Sequence, residues 1–240
     1  MEFENFDQLI PNEYRPHYKQ VHFLAPVWPF RLLMTGPSGS GKSNVLMNLV
    51  TKYLYFDKLY LFCKDDSEDK VKFLQDYFSI IEIKLKKDRR IPEEYKIMTV
   101  STKLEEIPDI DKLNTSQQHL FIFDDFVTEK EIKQHKIADM FVRGRKRNIS
   151  TIYITQSYFK TPKIIRLNCS YFCFFNIGSR KELQSICADH CGDIDKEEFY
   201  QMYKEISKEH YSFLVIDKVS NFKPLRYRCN FDNLYCKVFK

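Results

Sequence analysis

The chain has 240 residues, 43% of them apolar and 30% charged, with a net charge of +5. That length supports one sizeable hydrophobic core rather than two, and the composition is that of an ordinary soluble globular protein. No apolar run approaches the ~18 residues that a membrane-spanning helix needs, and the mild positive charge permits a polyanionic partner without demanding one.

The opening Met1-Glu2-Phe3-Glu4-Asn5 is acidic and lacks the basic and apolar regions of a signal peptide. The expectation is a reducing compartment, where seven cysteines are thiols rather than a disulfide framework. Residues 1–28 are mixed and rich in proline and aromatics, including Pro11, Pro16 and Pro26, and read as an irregular arm packed on the core or on a neighbouring subunit. One domain is expected from residue 29 to residue 240. Six glycines leave little room for a flexible linker, and neither a repeat nor a low-complexity segment is present.

Phe30 to Met34 is a short apolar run that reads as a buried parallel strand. It leads into Gly36-Pro37-Ser38-Gly39-Ser40-Gly41-Lys42-Ser43, which fits G-x-x-x-x-G-K-[ST], the phosphate-binding P-loop. Ser43 to Leu54 follows as a helix with Val45, Leu46, Leu49, Val50 and Tyr53 on one apolar face. Strand, glycine loop and helix together make the pattern a site. The glycines let the backbone curl so that successive N–H groups converge on an anion at a helix N-terminus. In that chemistry Lys42 lies along the β- and γ-phosphates and the Ser43 hydroxyl ligates Mg²⁺.

Lys58 to Cys63 reads as a second buried strand. The acidic run Asp65 to Asp69 opens a helix expected to reach about Tyr77, with its negative charge where the helix dipole prefers it. Ile80–Leu85 and Ile97–Val100 are candidate short strands around the basic turn Lys86 to Arg90, and residues 101–117 read as polar connection with one helical turn.

His119-Leu120-Phe121-Ile122-Phe123-Asp124-Asp125 is an apolar strand ending in two acids, the Walker B pattern. A carboxylate at such a strand end beside the P-loop holds Mg²⁺, which assigns Asp124. The next acid, Asp125, can deprotonate the attacking water. Thr128-x-x-Glu131 is a capping box that starts a helix carrying Ile132, Ile137, Met140 and Phe141. That helix ends in Arg143-Gly144-Arg145-Lys146-Arg147-Asn148, and Ile149 to Thr155 is a β-branched strand closing on Gln156. A polar side chain there can reach the γ-phosphate and the attacking water; the plainer reading is a turn residue.

Tyr171 to Asn176 is a further core strand, and Leu183, Ile186, Cys187 and His190 make one helical face. Asp195 and Glu198 start another helix, with Phe199, Met202, Tyr203 and Ile206 facing inward. Tyr211–Ile216 and Leu225–Cys229 read as closing strands in a hairpin-like pair, followed by a basic end, Tyr235 to Lys240. Cys187, His190 and Cys191 could hold zinc with help from Cys229 or Cys236. Their place on the apolar stripe favours buried core residues instead.

The basic cluster Arg143, Arg145, Arg147 has three readings: a solvated helix end, an arginine finger, or a phosphate-backbone contact. It feeds the amino end of the next parallel strand, whereas ligands bind at carboxyl ends. A finger from here would therefore serve a neighbouring subunit, which predicts a ring.

Three segments now stand in order: residues 29–43, Phe121-Ile122-Phe123-Asp124-Asp125, and Arg143 through Gln156. Together they resemble the FtsK/HerA superfamily of DNA-pumping ATPases. Within it the chain is similar to the compact genome-packaging ATPases of large DNA viruses such as poxviruses, of virophages, and of self-synthesising transposons. The likeness covers residues 29–176 well and the ends poorly. It implies an α/β fold of RecA-like, ASCE type, a mainly parallel sheet with helices on both faces and one strand inserted between the P-loop strand and the Walker B strand. It also implies ATP and Mg²⁺ as cofactors, a homo-oligomeric ring, double-stranded DNA as the moved substrate and capsid proteins as docking partners. The setting implied is the host cytoplasm or viral factory, or the virion. By position Gln156 inherits a γ-phosphate sensor role, and one of Arg143, Arg145 and Arg147 inherits a trans-acting role. Many relatives carry Glu where this chain has Asp125, so the shorter side chain leaves the catalytic base open. A related helicase, a nucleoside or nucleotide kinase, and a nucleotide-gated scaffold without turnover share the P-loop and stand as alternatives.

Overall fold

A computed structural model describes residues 17–129, 131–192, 194–220 and 223–234. Among these residues nine strands form one sheet: β1 (Arg31–Thr35), β2 (Lys58–Phe62), β3 (Met98–Ser101), β4 (His119–Asp124), β5 (Ile149–Thr155), β6 (Tyr171–Phe174), β7 (Leu214–Asp217), β8 (Tyr227–Cys229) and β9 (Asn233–Leu234). In space they run β3-β2-β4-β5-β1-β6-β7-β8-β9. The strands from β3 to β6 are mutually parallel, and β7, β8 and β9 extend that edge antiparallel. The helices are α1 (Lys42–Asn48), continued by a π turn (Leu49–Tyr53), α2 (Asp69–Lys87), α3 (Glu131–Arg143), α4 (Lys163–Asn168), α5 (Arg180–His190), α6 (Lys196–Ile206) and α7 (Lys223–Arg226).

Successive residues of a strand point to opposite faces, and a parallel sheet is covered on both. The central strands obey this residue by residue. Leu33, Phe121, Phe123, Tyr153, Phe172 and Phe174 join one core layer with Ile137, Met140 and Phe141 of α3, Ile186 of α5 and Phe199, Met202 and Tyr203 of α6. Leu32, Met34, Leu120, Ile122, Ile152, Ile154 and Cys173 join the other with Leu46, Leu49 and Val50 after the P-loop and Val71, Leu74 and Phe78 of α2. The expected architecture of a mainly parallel sheet with helices on both faces is therefore present. So is the strand between the P-loop strand and the Walker B strand: β5 pairs with β1 on one side and β4 on the other.

Several local expectations are corrected. No strand forms at Ile80–Leu85, because α2 runs unbroken from Asp69 to Lys87. Val71, Leu74 and Phe78 are buried and Ile81 and Leu85 pack on the same layer, a spacing of three and four that only a helix satisfies. Ile80 and Ile83, which suggested a strand, are 68% and 64% exposed. Tyr53 lies off the buried face of its helix at 40% exposure. The α3 helix begins at Glu131, so Thr128 sits in the preceding turn, where its Oγ1 accepts a hydrogen bond from Lys64 Nζ at 2.7 Å. The side chains of Glu131 and Ile132 are outside the described residues. The polar connection holds two short 3₁₀ turns, Leu104–Glu106 and Ile110–Lys112, not one. The two closing strands do form an antiparallel pair, but the first is Leu214–Asp217, and residues read as the start of the second belong to α7.

The end of the N-terminal arm lies on the sheet. Trp28 is buried and its Nε1 donates to Asn148 Oδ1 at 2.7 Å, while Val27 N donates to the Tyr171 hydroxyl at 3.1 Å. Residues 1–16 of the arm and the basic end Tyr235 to Lys240 are outside the described residues.

Candidate active site

The chain leaves β1 at Thr35 and turns at once. Gly36 N donates to Thr155 O at 3.3 Å, which ties the loop to the end of β5. A Cβ at Gly36 would stand 2.5 Å from Phe175 Cβ, so this position admits only glycine without a backbone shift. Gly39 and Gly41 have φ of +75° and +101°, a region L side chains rarely adopt. Gly41 is the N-cap of α1 and makes no side-chain cap bond, so the leading amides of the helix remain turned toward a ligand. Ser40 Oγ is buried there without a hydrogen-bond partner. Lys42 Nζ donates to Gly36 O and to Pro37 O, both at 2.7 Å, which holds its ammonium over the loop. A curled loop with glycine at its bends, an unspent hydroxyl and one ammonium fits a polyphosphate.

The acidic pair comes to the same place. β4 delivers Asp124 at its carboxyl end, and Asp125 takes φ of +60°. Asp125 N donates to Ile154 O at 3.0 Å, so β5 holds this turn, and Gln156 Nε2 donates to Asp125 Oδ2 at 3.4 Å. Ser38 to Ser43, Asp124, Asp125 and Gln156 line a single cleft of about 400 Å³. Gly36 and Pro37 do not line it; their carbonyls hold Lys42, which does.

The electrostatics of the cleft are unbalanced toward negative charge. Loss of solvent, then Glu68 and Asp125, push Asp124 up to about 6, with Lys42 pulling the other way. Burial lowers Lys42, opposed by Asp124 and Asp125. A desolvated carboxylate crowded by two others, in a cleft that Ser43 also lines, is a hard oxygen donor set with charge to neutralise, and it fits Mg²⁺.

A model of the poxvirus A32 protein family matches residues 18–232. The chain belongs to the poxvirus A32 family. The DNA packaging protein OPG160 of Variola virus is 29% identical over 162 residues, covering 62% of this chain and 54% of that protein. The Monkeypox virus protein of the same name is 30% identical over 155 residues, covering 62% and 48%. The chain thus spans about half the length of the curated relatives it matches. Among solved structures, the genome packaging NTPase B204 from Sulfolobus turreted icosahedral virus 2 in complex with AMPPCP superposes with a TM-score of 0.51 at 14% identity, over 79% of this chain and 92% of that one. Its complex with sulfate gives 0.50 at 15% identity, over 79% and 91%. These likenesses are likenesses of fold. The family expected from the P-loop, the acidic pair and the Arg-to-Gln segment is the family found.

In this A32-family chain the three arginines lie elsewhere. They sit at the end of α3 and in the 3₁₀ turn Gly144–Arg147 that precedes β5. Gln156 follows the other end of β5, roughly 20 Å away for seven extended residues. Arg143 Nη2 donates to Asp111 Oδ2 at 2.6 Å and its Nη1 to Asp139 Oδ2 at 3.0 Å, and Arg147 Nη2 donates to Asp111 Oδ1 at 2.7 Å. Arg145 is exposed and makes no hydrogen bond or ion pair among the described residues.

The cleft also has walls the sequence did not announce. Cys63, Lys64, Asp65 and Glu68 follow β2 into it. Their signal was available, because parallel strands bring their carboxyl ends to one edge. Tyr211, with φ of +67°, lies 3.2 Å from where a Cβ on Gly41 would stand. Nothing local marks Tyr211; it arrives because β7 docks beside β6, two places from the P-loop strand. The Cys187–His190 stripe faces inward: His190 Nε2 is 2.9 Å from the Tyr158 hydroxyl, and its ring lies 4.2 Å from Phe172 between centroids. Cys187 is buried in that layer, and Cys236 is outside the described residues.

Proposed function

We propose that this chain is a Mg²⁺-dependent ATPase that moves double-stranded DNA, the motor of viral genome packaging. It acts as a homo-oligomeric ring docked on capsid proteins, in the host cytoplasm or viral factory. The P-loop ATPase domain begins at residue 29, and residues 1–28 are an arm preceding it. The observation that carries this reading is the insertion of β5 between β1 and β4. That arrangement puts the P-loop, Asp124, Asp125 and Gln156 around one cleft. The role for which the relatives are named, DNA packaging, supplies the polymer.

The roles follow from position. The P-loop amides and the Lys42 ammonium receive the β- and γ-phosphates and take up the charge that develops on them. Ser43 and Asp124 would hold Mg²⁺, which when bound screens the phosphate oxygens. Asp125 accepts the proton of the attacking water, and the backbone bond to Ile154 aims it. The Gln156 amide, bonded to Asp125, orients that water and reads the γ-phosphate. The arginine segment sits too far away to serve its own cleft, so it completes a neighbour's.

The test is ATP turnover measured with and without double-stranded DNA, with the mass of the assembly determined in the same buffer. A motor hydrolyses ATP faster on duplex DNA and does so as a ring. A kinase gives DNA-independent phosphoryl transfer to a small acceptor. A scaffold binds ATP without turnover, and either result contradicts the proposal.

A further inference from the structure

Gln156 is exposed, and its bond to Asp125 is long at 3.4 Å, so that bond alone does not fix where its amide stands. The residues that follow it have to. Ser157 is the hub of a tight turn. Its N–H donates to Thr155 Oγ1 at 3.2 Å, its carbonyl accepts from Thr161 Oγ1 at 2.9 Å, and its Oγ accepts from Lys160 N at 3.3 Å. All three partners lie within residues 155–161, so these bonds shape the turn locally. Two side chains of the turn reach α5. Tyr158 is fully buried, and its hydroxyl meets Asp189 at 2.6 Å and His190 at 2.9 Å, near the end of that helix. Ser157, the neighbour of the glutamine, donates from Oγ to Glu182 Oε1 in the first turn of α5.

Glu182 is diverted from its own helix to make this contact. Ser179-Arg180-Lys181-Glu182 has the spacing of a capping box, and half of the box is in place: Ser179 Oγ accepts from Glu182 N at 3.3 Å. In the full motif the glutamate reaches back to the N–H of the capping residue. Among the described residues Glu182 makes no such bond, and its carboxylate goes to a serine 25 positions earlier in the chain. It has no ion pair among the described residues either, so what it offers Ser157 is an acceptor oxygen. Glu182 is half-buried and does not line the phosphate cleft.

We infer that Glu182 is a positioning residue for hydrolysis. Through Ser157 it fixes the peptide that carries Gln156, and so holds the Gln156 amide against Asp125. This role rests on the proposed ATPase activity of the cleft, and it gives Glu182 no contact with nucleotide or attacking water. Because the Ser157 hydroxyl needs an acceptor and not a negative charge, the amide oxygen of a glutamine at position 182 serves as well.

The test is ATP turnover and equilibrium ATP binding of the full chain carrying Glu182→Ala, Glu182→Gln, Ser157→Ala or Gln156→Ala, and of the first and third each combined with Gln156→Ala. Glu182→Ala and Ser157→Ala should each lower kcat by roughly ten- to a hundredfold, the scale of a slight misplacement in an active site. ATP affinity should stay within a few-fold of wild type. Glu182→Gln should recover most of the lost turnover. Once Gln156 is alanine, neither Glu182→Ala nor Ser157→Ala should lower kcat further, because the group they position is gone. The role is overturned if either single alanine variant turns over at the wild-type rate, or if Glu182→Gln is as slow as Glu182→Ala. It is also overturned if the losses multiply in the double variants, as a merely structural role would make them. Should Glu182→Ala fail to fold, Ser157→Ala removes the other end of the same bond and decides alone. Failure of the underlying cleft assignment looks different: wild type then shows no ATP turnover, and the positioning role falls with it.

Discussion

Asp124 is a carboxylate at odds with its surroundings. Desolvation first, then Glu68 and Asp125, raise its pKa from 3.8 to about 6. An acid whose folded pKa exceeds its unfolded one binds its proton more tightly in the folded state. Stability therefore falls as pH rises from about 4 to about 6 and stays lowered above that window. Asp124→Asn should remove this cost. Thermal melts of the ligand-free protein should show the variant more stable at pH 7.5, on the order of 1–3 kcal/mol, with the gap closing toward pH 4. The same variant should lose the extra stabilisation that Mg²⁺ adds to ATP binding. Equal melting of both proteins at pH 7.5 would count against the electrostatic reading. The carboxylate and its partner Asp125 were legible in the chain because an apolar run that ends in two acids downstream of a P-loop matches a metal-holding strand end in both residue type and order. Glu68 and Tyr211 were not, because each reaches the cleft through the sheet and not through any local pattern.

At the scale of the element, the P-loop depends on two kinds of glycine. Gly36 is barred from carrying a side chain by the core itself: its Cβ would sit 2.5 Å from the Cβ of Phe175, which is fully buried. Gly39 has nothing within 4 Å of a Cβ and is held only by its φ of +75°. Gly36→Ala should therefore destabilise by roughly 1–3 kcal/mol through overpacking. It should also weaken ATP binding, because its carbonyl holds Lys42. Gly39→Ala should cost about 1 kcal/mol through backbone strain alone. Denaturant melts of the two variants, with ATP affinity measured alongside, decide between them; equal costs would contradict the packing argument. The parallel strands were readable because a strand buried on both faces is a continuous apolar run. The second half of α2, beyond Tyr77, was not, because Ile80-Ile81-Glu82-Ile83 looks β-branched in a short window. Only the longer spacing through Val71, Leu74, Phe78, Ile81 and Leu85 reveals the helical period.

At the scale of the whole molecule, the order of strands decides what meets what. Strand order in space is not written in any one segment: β5 follows β4 in the chain yet wedges between it and β1. That placement was legible only through a resemblance carried by three separated motifs. It leaves the arginine segment at the far end of β5, where Asp111 ties down Arg143 and Arg147. Arg145, exposed and without an ion pair among the described residues, is therefore the arginine that the proposed ring would use across a subunit boundary. Arg145→Ala should cut turnover in the assembled ring by ~10³–10⁵-fold while leaving the slow rate of dilute monomers unchanged. Arg143→Ala should loosen α3 with a smaller effect, and an equal loss from both would remove the distinction. The most direct test of the account is ATP binding and turnover of Asp125→Asn beside wild type. The predicted result is ATP affinity within a few-fold of wild type and turnover lower by ~10²–10⁴-fold. Turnover at the wild-type rate would contradict the claim that this cleft is where ATP is hydrolysed.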